Sequence, residues 1–217
     1  MMESEIKEQA DKWKGNFGKD YTDRNPQSIR EMEDLYMRNF GVKRTELNGE
    51  FLKNIDKDAK ILEVGCNVGT QLGILKSQGF NNLTGIEVQP YAVEKAKSLF
   101  PDINFLVGSG LNLPFEDNSF DLVFTSGVLI HINPKDLPKI ISEIHRVSKK
   151  YIWGYEYFCE NYEEIHYRDN RELAWKNDFL TVFLKIIPGL KLLKEKMLDY
   201  LDDDNVDQMY LLEKERD

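Results

Sequence analysis

From Lys60 onward, short apolar runs alternate with amphipathic stretches. Lys60–Val64 (KILEV) is too short for a helix and runs into a glycine, which predicts a strand followed by a turn. Leu72 and Leu75 predict a short helix that ends near Gly79, and Leu83–Glu87 predicts a second strand. Pro90 opens a helix at a tolerated early position, with Val93, Ala96 and Phe100 on one face. Ile103–Val107 reads as a third strand, and Phe120–Thr125 (FDLVFT), after the turn-rich PFEDNS, as a fourth. Pro134–Val147 places Leu137, Ile140, Ile141 and Ile144 at helical spacing, and Tyr151–Tyr157 is a fifth strand. Strands separated by helices in this order imply β-α-β units, hence an α/β fold with a doubly wound, mostly parallel sheet.

The two ends of the chain depart from that rhythm. Residues 1–50 are polar but carry Trp13, Phe17, Tyr21, Leu35, Tyr36 and Phe40, which predicts two helical patches around a turn segment, GNFGKDYTDRNP. This stretch is expected to be an N-terminal helical cover on a main domain formed by residues 51–217. Arg171–Ile187 predicts a helix stopped by Pro188-Gly189. Lys191–Leu198 and Gln208–Glu213 either form an antiparallel pair across DDDN, or the first of them is helical; propensity does not decide.

At 217 residues the chain is long enough for a sizeable core, and its net charge of -9 makes a phosphate backbone a poor partner. Cys66 and Cys159 form neither a C-x-x-C pair nor a zinc pattern, so no metal is expected. The charged N-terminus lacks an apolar signal core, and the apolar run Phe179–Pro188 is short and interrupted by Lys185. The expectation is a cytoplasmic protein acting on a small molecule, with no nucleic acid and no membrane partner; the oligomeric state is not readable.

Chemistry concentrates in Glu63-Val64-Gly65-Cys66-Asn67-Val68-Gly69, directly after the first strand. Gly65 and Gly69 let the backbone bend sharply toward a ligand, and the next helix turns its N-terminal amides to the same place. Glu87, followed by Val88, ends the second strand, where an acidic residue can accept hydrogen bonds from a ribose diol. A dinucleotide fingerprint would need glycine where Asn67 and Thr70 stand, and a P-loop would need a Gly-Lys-Ser/Thr ending. A nucleoside without phosphate, S-adenosylmethionine (AdoMet), tolerates the bulkier turn and the acidic Glu63.

The combination E-x-G-x-N-x-G, then I-E, then L-P-F before F-D-L-V-F resembles class I AdoMet-dependent methyltransferases over residues 55–157. The segments 13–25, 63–72, 127–138, 155–157, 166–172 and 209–214 further resemble the pseudaminic acid biosynthesis-associated methylase family. The resemblance implies a Rossmann-like fold, AdoMet as cofactor, and a nonulosonic sugar or its nucleotide as acceptor. It implies that Glu63, Gly65, Cys66, Asn67 and Gly69 line the methionine and ribose side, with Glu87 and Val88 at the ribose. Ser109, Gly110 and Leu111 would approach the adenine, and Ser126 and Gly127 the methionine.

Several residues keep two readings. Cys66 is also a small packing residue, with no basic neighbour to activate it. His131 is either the catalytic base for an acceptor hydroxyl or a histidine tying down the IHINP turn. Tyr157, Glu156, Tyr167, Arg168 and Arg171 are expected on the acceptor side, the arginines as carboxylate binders or as surface ion-pair partners. Tyr21 either covers the cofactor or packs its own helix. TSGV replaces the D/N-P-P-Y/F of amino-methylating nucleic-acid enzymes. The rival functions are a non-catalytic AdoMet-fold partner, an NAD-dependent sugar oxidoreductase, and a methyltransferase of another small metabolite.

Overall fold

Apolar strands that end in glycine or acidic turns build both halves of the molecule. The computed structural model describes residues 11–168 and 173–215. Its contacts separate two compact units, one running through Gly110 and the other starting at Leu111.

The first unit contains the helices α1 (Asn16–Arg24), α2 (Ile29–Phe40) and α3 (Arg44–Leu52). Ser28 caps α2 by accepting from the Glu31 amide at 3.2 Å, and Gly41 ends it in a left-handed conformation. The stretch expected to be the GNFGKDYTDRNP turn is mostly helix α1. Gly18 is there for space, not for bending: a Cβ would sit 1.8 Å from the Trp13 carbonyl oxygen. Then follow β1 (Lys60–Val64), α4 (Thr70–Ser77), β2 (Asn82–Glu87), α5 (Pro90–Leu99) and β3 (Asn104–Val107). β1 pairs in parallel with β2, and β2 with β3, so Val64 lies beside Ile86 and Glu87 beside Val107. Ile61, Leu62, Leu72, Ile74, Leu75 and Val93 are fully buried around these strands, as the apolar spacing requires.

The second unit contains β4 (Phe120–Ser126), a 3-10 turn (Leu129–His131), α6 (Leu137–Val147) and β5 (Ser148–Tyr157). It continues through the short pair β6 (Glu163–Glu164) and β7 (Trp175–Lys176), then α7 (Phe179–Ile186), β8 (Leu190–Asp199) and β9 (Val206–Lys214). β4 and β5 are parallel; β9 pairs antiparallel with both β5 and β8. The ambiguous segment 191–198 is therefore strand, because backbone pairing with β9 outweighs its helical propensity.

Two predicted helices start later than their apolar pattern. Residues 134–136 form a turn ahead of α6, where the Asn133 side chain accepts from the Lys135 amide at 3.1 Å and offers the backbone an alternative to helix. The helix expected over Arg171–Ile187 is confined to α7: Asp178 caps it by accepting from the Thr181 amide at 2.9 Å, and Trp175–Lys176 is strand. Arg171 itself lies outside the described residues.

Packing leaves little slack in the second core. Trp153 and Phe124 pack with their rings tilted by 41° at 5.0 Å between centroids, and Gly154 leaves room for the ring of Tyr210 on the paired strand. A Cβ at Gly154 would lie 2.0 Å from Tyr210 Cζ, inside a fully buried cluster. Gly154→Ala is expected to lower unfolding stability by about 1–3 kcal/mol through overpacking, measured by urea denaturation. Pairing it with Tyr210→Phe should change this little, because the ring itself occupies the space.

Candidate active site

In the first unit the chain leaves β1 through a bend held by main-chain contacts to the end of β2. The amides of Gly65 and Cys66 both donate to the carbonyl of Ile86, at 2.8 and 3.1 Å. The Asn67 amide donates to Glu87 Oε2 at 3.0 Å, and the Gln89 amide donates to Oε1 at 2.9 Å. Gly65, Asn67 and Gly69 all have positive φ (74°, 47° and 75°), a conformation that asparagine tolerates better than other non-glycine residues. Gly69 also admits the Phe105 ring, which would lie 2.5 Å from a Cβ. Its missing side chain therefore serves core packing as well as the turn.

Glu63, Gly65, Cys66, Asn67, Gly69, Glu87 and Val88 are thus brought together around this bend. Cys66 is buried; its sulfur fills the space over Gly85, and burial raises its thiol well above the ordinary range. That is the behaviour of a packing residue. Glu87 is half-buried, and burial raises its carboxyl against the lowering effect of the Gln89, Asn67 and Val88 amides. Glu63 is 3% exposed, and its Oε2 has no hydrogen-bond partner. Burial raises its carboxyl well above the usual carboxylate range, Arg44 opposes that rise, and Glu87 adds to it.

The sequence reading passed over Arg44, Gln71 and Gln89. Gln89 caps α5 by accepting from the Tyr91 amide at 3.2 Å, while its Nε2 donates to the carbonyls of Trp13 and Gly15 at 2.9 and 3.0 Å. Thr70, the first residue of α4, donates its hydroxyl to the Pro26 carbonyl at 2.8 Å. The N-terminal helices are therefore fastened to both sides of the bend. The position of Gln89 directly before Pro90 was a readable cap signal; for Arg44 no local pattern exists. Tyr21 meets Trp13 edge-on at 5.1 Å, and Trp13 meets Phe17 in the same way, so Tyr21 packs within its own aromatic row. Ser109 and Gly110 follow β3, half-buried.

The second unit holds the other expected residues, beginning with the half-buried Leu111. β4 ends at Ser126, and Gly127 turns the chain with φ 66°, its amide donating to the Tyr155 carbonyl at 2.8 Å. Glu156, expected on the acceptor side, points inward instead. It is fully buried and accepts from the amides of Val128 and Leu129 at 3.2 and 3.1 Å. Burial pushes its carboxyl up to about 7 against the lowering effect of Val128, Thr125, Leu129 and Ile130 as donors. It is the anchor of the loop that carries His131.

His131 Nδ1 lies 2.9 Å from the Leu173 carbonyl, an acceptor, so Nδ1 carries the proton and Nε2 the lone pair. Burial lowers the imidazole to about 4, partly offset by Leu173. Tyr167 sits edge-on to the His131 ring at 5.2 Å, and the Arg168 guanidinium lies 5.8 Å from the Tyr167 ring. Arg168 has φ 49°, an uncommon backbone conformation. Tyr157 is on the opposite face of β5 from Glu156 and stacks on Tyr200 at 6.0 Å. Sequence order alone had grouped these two residues. Among the described residues no His, Cys, Asp and Glu cluster could hold a metal, and no helix is long and apolar enough to cross a membrane.

Comparison with known proteins converges on the same region. Residues 62–151 match the methyltransferase domain family. An uncharacterized methyltransferase from Synechocystis is 35% identical over 95 residues, covering 44% of each chain. The chain thus spans less than half the length of that relative. The PH0226 protein from Pyrococcus horikoshii superposes with a TM-score of 0.67 at 18% identity, covering 90% of this chain and 99% of that one. The 1,6-didemethyltoxoflavin-N1-methyltransferase of Burkholderia thailandensis, solved with bound 1,6-didemethyltoxoflavin and S-adenosylhomocysteine, superposes with a TM-score of 0.64 at 14% identity, covering 79% of this chain and 76% of that one. The fold is the Rossmann-like α/β fold of methyltransferases, mostly parallel with antiparallel C-terminal strands.

Glu156 gives a pH signature. Its folded value of about 7 exceeds the ordinary glutamate value of 4.5, so between these pH values the unfolded chain ionises while the folded one keeps its proton. Its contribution to stability is present below that window and is lost as pH rises through it, by up to about 1.4 kcal/mol per pH unit. Glu156→Gln is expected to flatten the fall in urea-unfolding stability across this window. Equal slopes in both proteins would remove the assignment.

Proposed function

We propose that this protein transfers a methyl group from S-adenosylmethionine to a hydroxyl or amine of a small polar acceptor. The observation that carries this reading is the bend after β1, where a buried Glu63 carboxylate oxygen without a partner stands beside the amide-gripped carboxylate of Glu87. These residues fit a sulfonium nucleoside. Each Glu87 oxygen accepts one backbone amide and keeps acceptor capacity for a ribose hydroxyl. Glu63 offers a buried carboxyl oxygen without a hydrogen-bond partner toward the amino-acid arm. The domain match and the S-adenosylhomocysteine in the Burkholderia enzyme support the same donor. The N-terminal helices, fastened through Gln89 and Thr70, act as a cover on this bend.

Bound S-adenosylmethionine supplies an electrophilic methyl group whose transfer discharges the sulfonium. The protein's own work is then alignment, exclusion of water and, for a hydroxyl acceptor, removal of a proton. His131 is the residue we assign to the last task, because its tautomer places the lone pair on Nε2. Glu156 holds the backbone leading to it. We assign the acceptor to the acidic sugars of the nonulosonic class: the sequence segments cited above support this, and Arg168 beside Tyr167 provides a carboxylate binder.

Calorimetry with S-adenosylhomocysteine and with NAD tests the donor. Binding of the former alone is expected, and Glu87→Ala should weaken it by about 1.5–3 kcal/mol, the range for hydrogen bonds to a charged group. Preference for NAD would overturn the reading. Mass spectrometry of acceptor mixtures should show a gain of one methyl on a nonulosonic acid or its nucleotide. For a hydroxyl acceptor, His131→Ala should lower kcat by about 100-fold or more with little change in cofactor affinity. Unchanged turnover across pH would sink the base assignment.

A further inference from the structure

Lys176, the second residue of β7, is a half-buried cation whose contacts are an amide oxygen and an aromatic ring. Its ammonium donates to Asn205 Oδ1 and lies 6.0 Å from the centroid of the Tyr157 ring. Glu163 stands opposite it in the β6–β7 pair, yet that exposed carboxylate accepts from the Cys159 thiol at 3.8 Å. Among the described residues Lys176 forms no ion pair. An ammonium carries three donors, and one amide oxygen with one ring face engages only part of them. A partly desolvated cation with donors to spare is a place for an anion.

Tyr157 ends β5, at the carboxyl edge of the parallel β4–β5 pair, where doubly wound sheets meet their ligands. Tyr200 stacks on it, with centroids 6.0 Å and planes 24° apart. The hairpin turn that carries Tyr200 and Asn205 is closed by the Tyr200 amide, which donates to the Asn205 carbonyl at 3.0 Å. Asp203 tightens it by accepting from the Asn205 amide at 2.8 Å. Asp207, opposite Tyr157 in the β5–β9 ladder, accepts from the hydroxyls of Tyr155 and Tyr200. β7 packs against the 3-10 turn of His131, whose Nδ1 meets the carbonyl of Leu173 just before that strand. A flat tyrosine surface with a cation at its edge therefore adjoins the turn that carries the residue assigned to proton removal. Arg168 is exposed, so solvent screens its charge more than that of half-buried Lys176.

We propose that Lys176 is a specificity-determining residue of the acceptor site: its ammonium binds the carboxylate of an acidic acceptor whose ring lies on Tyr157 and Tyr200. This rests on the methyl-transfer reading above and names the group that reads the acceptor's charge. Asn205 holds the ammonium at the edge of the tyrosine pair, so the hairpin turn at 200–205 belongs to the acceptor site as well as to the sheet.

The test is an NMR titration of the full chain saturated with S-adenosylhomocysteine. The probes are the methyl glycoside of N-acetylneuraminic acid, an acidic nonulosonic sugar, and the carboxyl methyl ester of the same glycoside. Wild type is expected to bind the acid about tenfold or more tightly than the ester, the scale of a hydrogen bond to a charged group. Lys176→Met should bring the affinities together by weakening the acid alone, with S-adenosylhomocysteine bound as before, and Lys176→Arg should restore much of the difference. A preference that survives Lys176→Met, or that vanishes only in Arg168→Gln, overturns the role of Lys176 and leaves the acceptor reading standing. Equal binding of acid and ester by wild type, or binding of neither, overturns this proposal together with the acidic-sugar acceptor. Wild type that does not bind S-adenosylhomocysteine sinks the methyl-transfer reading itself, and this proposal with it. Should Lys176→Met not fold, the carbon-13 resonance of Lys176 Cε in wild type, assigned by its loss in Lys176→Arg, decides. A shift with the acid and not with the ester supports the proposal; equal shifts, or none, overturn it.

Discussion

Two amides sharing one carbonyl hold the candidate site together. Gly65 and Cys66 both donate to Ile86, which locks the exit of β1 onto the last residues of β2. That contact forces alternate residues into positive φ and turns the Asn67 amide onto Glu87. The geometry is local in sequence on one side and distant on the other, so neither strand end can move without the other. Behind the bend, Phe105 occupies the space left by Gly69, and Cys66 the space left by Gly85. The small residues are demanded as much by packing behind the turn as by access in front of it.

Buried carboxylates recur with the same solution. Glu87 grips the amides of Asn67 and Gln89; Glu156 grips those of Val128 and Leu129. Each takes backbone donors that a turn would otherwise leave unsatisfied, and each carries a carboxyl raised by burial. Such groups define a loop conformation more than they stabilise the fold, because desolvation offsets much of the attraction. Glu63 differs: one of its oxygens has no backbone or side-chain donor, and burial holds its carboxyl well above the usual range.

A comparable device shapes the loop before β4. Arg146 on α6 donates to the carbonyls of Phe115 and Leu113 and to Asp117, while Glu143 accepts from the Leu113 amide at 2.7 Å. One arginine and one glutamate thus hold LPFED against a helix some thirty residues later in the chain. On the other side of β4, the Leu173 carbonyl sets the tautomer of His131. Side chains at long sequence separation fix both loops.

What the chain announces by itself is whatever depends on neighbours in sequence. The five parallel-type strands, the glycine bend and the acidic ends of β1 and β2 follow from apolar runs, φ-permissive residues and short-range turns, and their bounds agree within a few residues. Contacts between distant segments were invisible. Gly18 reads as a turn former until Trp13 and Gln89 close around it. KLLKEKML has no preferred state until β9 lies beside it. Glu156 and Tyr157, adjacent in sequence, part to opposite faces because a strand alternates its side chains. Arg44 looks like any surface arginine until Tyr36, Asn48 and Gln71 enclose it. Periodicity and backbone sterics are properties of short windows, whereas burial of charge and the partner of a polar atom are properties of the assembled core.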